Sequence, residues 1–106
     1  MVNNEDRNSA EYWLIVGVDY SAAGLHAEAI EAYQQAIKIN PYYTIAYHNL
    51  GITYGNLGRH SESIDAFKEA IKIDPCFAEA HGNLGVAYEK LGKLSEAAEK
   101  AKGVRS

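Results

Sequence analysis

The chain repeats itself every 34 residues, and that periodicity limits the fold more than any other feature of its 106 residues. Gly17 falls on Gly51 and then on Gly85; Tyr20, Tyr54 and Tyr88 superpose under the same shift, as do Gly24, Gly58 and Gly92. Pro41 and Pro75 end the first two units. Residues 10–43 and 44–77 agree at twelve of 34 positions, the block Ala36-Ile37-Lys38-Ile39 recurring as Ala70-Ile71-Lys72-Ile73. Chance would give about two identities, so one structural unit has been duplicated. A unit this short cannot bury its own apolar face; its neighbour in the stack must cover it.

Each unit reads as a pair of helices. In the second, Ala46, Tyr47, Leu50, Gly51 and Tyr54 recur at three- and four-residue steps, the spacing of one helical face. The pattern stops at Leu57-Gly58 and restarts with Ile64, Phe67 and Ile71. Gly58 stands where a left-handed residue would end the first helix, and Pro75 closes the second. Lys38 and Lys72 lie in last turns, where positive charge suits the helix dipole. The reading is a flexible N-terminus over 1–9, then one domain over 10–106 with units 10–43, 44–77 and 78–106.

The spacing Trp13, Gly17, Tyr20, Gly24, Ala29, Tyr33, Ala36, Pro41 resembles the tetratricopeptide repeat (TPR) family. The second unit matches again with Tyr47, Leu50, Gly51, Tyr54, Gly58, Phe67, Ala70, Pro75, and the third opens with Leu84, Gly85, Tyr88, Gly92, Ala97. The resemblance implies an all-α, right-handed α-solenoid of antiparallel helix pairs: three TPR-like units, about six helices, with the first helix of each pair lining a concave groove. Such modules bind proteins or peptides and are not enzymes.

The third unit departs from the pattern. Ala98 and Ala101 stand where the second has Ile64 and Phe67, and a short, polar second helix is expected from Leu94 to about Lys102. Small residues there leave little apolar surface for a fourth unit, which reads as a natural end to the array. The alternatives are a fragment cut from a longer array and a stacking face that pairs with another copy, so a homo-oligomer stays open.

The same alignment nominates a peptide-binding groove lined by Leu14, Val18, Ile45, His48, Asn49, Ile52, Asn56, Glu79, Asn83 and Val86. Leu14, Val18, Ile52 and Val86 form an apolar row, and exposed contiguous apolar surface on a small protein marks a contact site. Asn49 and Asn83 occupy equivalent positions, and a side-chain amide offers both donors and an acceptor to an extended peptide. The resemblance implies a ladder of such amides; with Ile15 in the first unit it has two rungs. Gly55 and Gly82 each cost a helix about 1 kcal/mol relative to Ala, an expense that would make room for a bulky ligand side chain. Many TPR domains grip a C-terminal carboxylate with Lys, Arg and Asn. Here the matching positions carry Leu14, Val18, Ile45, Glu79 and Asn83, and only Asn49 fits, so the expected partner is a neutral or apolar protein segment.

Composition removes other classes. Ten Lys and Arg against fourteen Asp and Glu give a net charge of −4, the wrong sign for a nucleic-acid surface. The apolar runs fall short of the roughly 20 residues of a membrane span, and the acidic N-terminus does not read as a secretory leader. A lone thiol, Cys76, fits a reducing, cytoplasmic setting. His26 and His60 are one repeat apart, too far to share an ion, so no metal and no cofactor is expected. No nucleotide-cradling glycine loop or catalytic triad emerges. Two rival readings remain: a self-assembling structural repeat protein, or the targeting module of a larger enzyme.

Overall fold

The computed structural model describes residues 8–102. They form five helices: α1 (Ala10–Ala22), α2 (His26–Ile39), α3 (Thr44–Asn56), α4 (His60–Ile73) and α5 (Ala78–Ala101). Successive helices pack on one another, and α1–α3 and α3–α5 also touch, so the first helices of the units line one side of an elongated stack of 60 × 29 × 18 Å. Most of the expected N-terminal stretch lies outside the described residues. Its Ser9 caps α1, accepting a hydrogen bond from the Tyr12 amide at 3.0 Å.

The turns within units one and two are the same device used twice. Gly24 (φ 78°) and Gly58 (φ 75°) adopt the left-handed conformation that only glycine enters freely. The next amide reaches back five residues, Leu25 N–H to Tyr20 C=O and Arg59 N–H to Tyr54 C=O, both at 2.9 Å. The links between units also match. Asn40 and Asp74 end α2 and α4, and each side chain accepts from the amide two residues on, Tyr42 or Cys76, at 3.1 Å.

What holds a pair together is an aromatic ring on a glycine. Tyr33 of α2 lies against Gly17 of α1, and Phe67 of α4 lies against Gly51 of α3. Neither ring has appreciable exposure. Around them, Ala29, Ile30, Leu50, Tyr54 and Ala66 form a first core cluster, and Ile64 and Ala87 join Phe67 in a second. In the second pair Ser63 adds a buried cross-link, donating from Oγ to the Gly51 carbonyl at 2.7 Å.

The third unit has no such pair. Instead of two helices meeting at Gly92, α5 runs unbroken for 24 residues, so the described residues hold five helices where the sequence suggested about six. The physical reason is legible at one position. The residue equivalent to Tyr33 and Phe67 is Ala101, and a Cβ on Gly85 would meet nothing within 4 Å. With Ala98 and Ala101 in place of Ile64 and Phe67, folding back would bury too little apolar area to offset the cost of ordering a turn. Gly92 therefore stays helical.

Candidate functional site

Two hollows open on the side lined by the first helices, and they are one site built twice. The first, about 400 Å³, lies between α1 and α3; the second, about 120 Å³, lies between α3 and α5. Every residue lining the first has its 34-residue equivalent lining the second. The floor is Tyr33 in one and Phe67 in the other. The walls are Val18 and Ile52 in the first, Ile52 and Val86 in the second. An amide stands at each rim, Asn49 then Asn83. The duplication that makes the fold thus also duplicates a surface feature.

Differences between the copies set their chemistry. Ser21, Ala22 and Thr53 of the first become Gly55, Asn56 and Ala87 in the second. The Thr53 hydroxyl donates to the Asn49 carbonyl at 3.0 Å. The second hollow gains a polar corner of Asn56, His60 and Lys90. Neither hollow is lined by a carboxylate. Five acidic residues line two other repeat-related hollows, between the two helices of a unit. Glu28 and Glu31 line one, beside Trp13 and Tyr20; Glu62, Asp65 and Glu69 line the other, beside Tyr47 and Tyr54.

The ten residues nominated from the sequence divide cleanly. Val18, Asn49 and Ile52 meet at the first hollow; Ile52, Asn56, Asn83 and Val86 meet at the second. Ile52 and Val86 are 38% and 47% exposed, the solvated apolar row expected of a contact surface. Leu14 packs against the first core cluster. Ile45 and Glu79 are exposed but line neither hollow. Gly55 lines the second hollow, whereas Gly82 faces open space.

His48 sits inside the structure, 4% exposed, with its ring between those of Phe67 (5.7 Å between centroids) and Phe77 (4.7 Å). Asn83 donates through Nδ2 to His48 Nε2 at 3.0 Å, so one rung of the amide ladder is tied to the joint between units two and three. Burial pushes the His48 pKa down, partly opposed by the nearby Glu79 carboxylate, and its Nδ1 has no partner. His60, Lys90 and the two ring floors were absent from the nominated set. The 34-residue shift relates the two ring floors, Tyr33 and Phe67, to each other, whereas His60 and Lys90 have no counterpart lining the first hollow and carry no such signal.

An elongated stack of helix pairs with a duplicated, part-apolar surface is the architecture of a helical-repeat solenoid. Among the described residues no group of three or more His, Cys, Asp or Glu could hold a metal ion. No helix among them is long and apolar enough to cross a membrane. The family model described as "TPR repeat" matches residues 17–58 and 56–92, and the chain belongs to the tetratricopeptide repeat family. Among solved structures it is similar to the MamA protein, at 37% identity over 90% of this chain and a TM-score of 0.79. A second MamA structure gives 37% identity over 87%, again with a TM-score of 0.79. The chain spans about half the length of those MamA chains, 52% and 54%. The first TPR of Spaghetti (RPAP3), solved bound to the HSP90 peptide SRMEEVD, shares the fold at 24% identity over 91% of this chain and 76% of its own, with a TM-score of 0.77. No curated protein sequence matches.

Proposed function

We propose that this chain is a non-catalytic scaffold module that binds an extended, mostly neutral or apolar segment of a protein partner along the face lined by α1, α3 and the first half of α5. The observation that carries this reading is the pair of equivalent hollows, walled by the half-exposed row Val18, Ile52 and Val86. A single apolar dimple is commonplace on a small protein, whereas two in register present matching subsites to an extended chain. Asn49, which lines the first, would pair through its side-chain amide with the backbone of such a chain. The Spaghetti domain, solved with a peptide, supports peptide binding as a use of this fold. A cytoplasmic setting agrees with the exposed free thiol of Cys76.

The test is a peptide-display selection on the full chain and on its Ile52→Arg variant, which places a charge in the wall shared by both hollows. Recovered peptides should lose binding to the variant while its helix content and melting temperature stay close to the parent's. Peptides that bind both proteins equally would refute the groove.

A second reading is favoured by one observation. Gly85 keeps the notch that in units one and two receives a ring, yet nothing occupies it, and the neighbouring Tyr88 is 47% exposed. That end of the stack would accept a helix from a second copy. Light scattering over a concentration series tests this: a constant monomer mass removes it.

A further inference from the structure

Resting on the groove reading above, we infer that the two hollows are not interchangeable: the first takes a large apolar side chain of the partner and the second takes a carboxylate side chain about three residues away. The recognised element is an extended stretch with one large apolar residue and one Asp or Glu at that spacing.

The first hollow is the roomier, about 400 Å³, and its polar lining comes from Ser21, Asn49, Thr53 and Tyr33, none of them charged. The Thr53 hydroxyl is already committed to a backbone carbonyl. The Tyr33 ring at its floor is buried, and burial holds its phenol neutral by raising its pKa. Such a site rewards apolar area and offers no charge.

The second hollow is narrower, about 120 Å³, and polar at one corner. Lys90 stands at that corner. The ion pair among the described residues is Arg59–Glu62, so the Lys90 ammonium keeps its charge for a ligand. Asn56 also lines this hollow and contributes an amide that can donate, and neither side chain is held in a hydrogen bond among the described residues. No carboxylate lines this hollow. A chain of net charge −4 thus presents a local positive corner over an apolar floor of Phe67, which is complementary to a short acidic side chain.

The spacing follows from the stack. Neighbouring first helices lie about 10 Å apart, and an extended chain advances about 3.3 Å per residue, so the anchors are about three residues apart. The polar corner of the second hollow rests on Asn56, where the first has Ala22, and on Lys90, whose repeat equivalent does not line the first.

The experiment is selection from a random nonapeptide display library on the full chain, in parallel with Lys90→Glu and Ile52→Arg. Wild type should enrich a large apolar residue followed or preceded at about the third position by Asp or Glu. For one such peptide, Lys90→Ala should weaken binding about threefold, the value of an exposed ion pair. Lys90→Glu should weaken it at least tenfold through like-charge repulsion, and its own selection should lose the acidic residue while keeping the apolar one. If peptides depend on Ile52 but show no acidic preference, or select identically on Lys90→Glu, the inference falls and the groove reading stands. Peptides indifferent to Ile52→Arg, or no enrichment on any of the three proteins, would overturn both.

Discussion

The same substitution, Gly to Ala, should have opposite effects at Gly51 and Gly85, two positions that the repeat makes equivalent. A Cβ added to Gly51 would lie 2.7 Å from Cε1 and 2.8 Å from Cδ1 of Phe67. Carbon atoms prefer separations of about 3.5–4.0 Å, so the ring must retreat by about 1 Å. Phe67 is 3% exposed and confined by Ile64 and Ala87, which leaves it nowhere to go without moving α4. Overpacking of this kind costs about 1–3 kcal/mol, against a gain of about 1 kcal/mol for replacing a helical glycine by alanine. Gly51→Ala should therefore lie between neutral and a loss of about 2 kcal/mol. At Gly85 a Cβ meets nothing, and only the gain of about 1 kcal/mol remains.

The propensity contribution cancels between the two variants, so their difference isolates the ring-on-glycine contact. For a domain of this size 1 kcal/mol moves the melting temperature by about 4–8 °C, and the two variants should melt at least about 4 °C apart, Gly85→Ala the higher. Thermal melts followed by circular dichroism measure this directly. A double-mutant cycle sharpens it: in a Phe67→Leu background the obstruction is smaller, so Gly51→Ala should turn less harmful or stabilising. Gly17→Ala should behave as Gly51→Ala does, because its Cβ would press on Tyr33 Cδ1 at 2.6 Å. If Gly51→Ala and Gly85→Ala raised stability equally, the account of what makes a helix pair here would be refuted, and with it the explanation of why α5 is unbroken.

Two further predictions follow from the same contacts. Restoring the missing side chains with Ala98→Ile and Ala101→Phe should bend α5 at Gly92 into a hairpin: spin labels at positions 79 and 100, about 32 Å apart along a straight helix, should move to within about 15 Å, and an unchanged distance would refute this. His48 has a depressed folded-state pKa, so the unfolded chain binds its proton first. The stability this group contributes is complete above the unfolded value of about 6.5 and falls as pH drops below it towards the folded pKa. Melting temperatures at pH 7.5 and 5.5 should differ more for wild type than for His48→Gln, and equal differences would count against the buried neutral imidazole.

Periodicity exposes only what one helix does with its own faces, and that explains both what was legible and what was not. The pairs α1–α2 and α3–α4 could be read from Gly17, Gly51 and the turn glycines because those signals are local: a spacing, a left-handed cap, a proline stop. Gly92 carries the same local signal, yet it remains helical, because closing a turn also depends on a residue nine positions on. There the sequence offers Ala101 and not a ring. The substitution was visible as a weak stacking face; its stronger consequence, the loss of the turn itself, needed the observation that rings on glycines hold the other pairs shut. His48 shows the same limit from the other side. Its register puts it on an inner face, but Phe67 and Phe77 come from α4 and the following link, and together with Asn83 of α5 they close over it. The row Val18, Ile52 and Val86 was legible because one side of each first helix stays uncovered by its own partner. Lys90 was not, since its role depends on where carboxylates are absent. The proposed binding surface uses α5 only as far as Lys90, whereas the missing turn lies beyond it at Gly92. The third unit can therefore lack a folded second helix and still complete the second hollow, which makes the hairpin-restoring variant a control as well as a prediction: it should change the shape of α5 without changing which peptides bind.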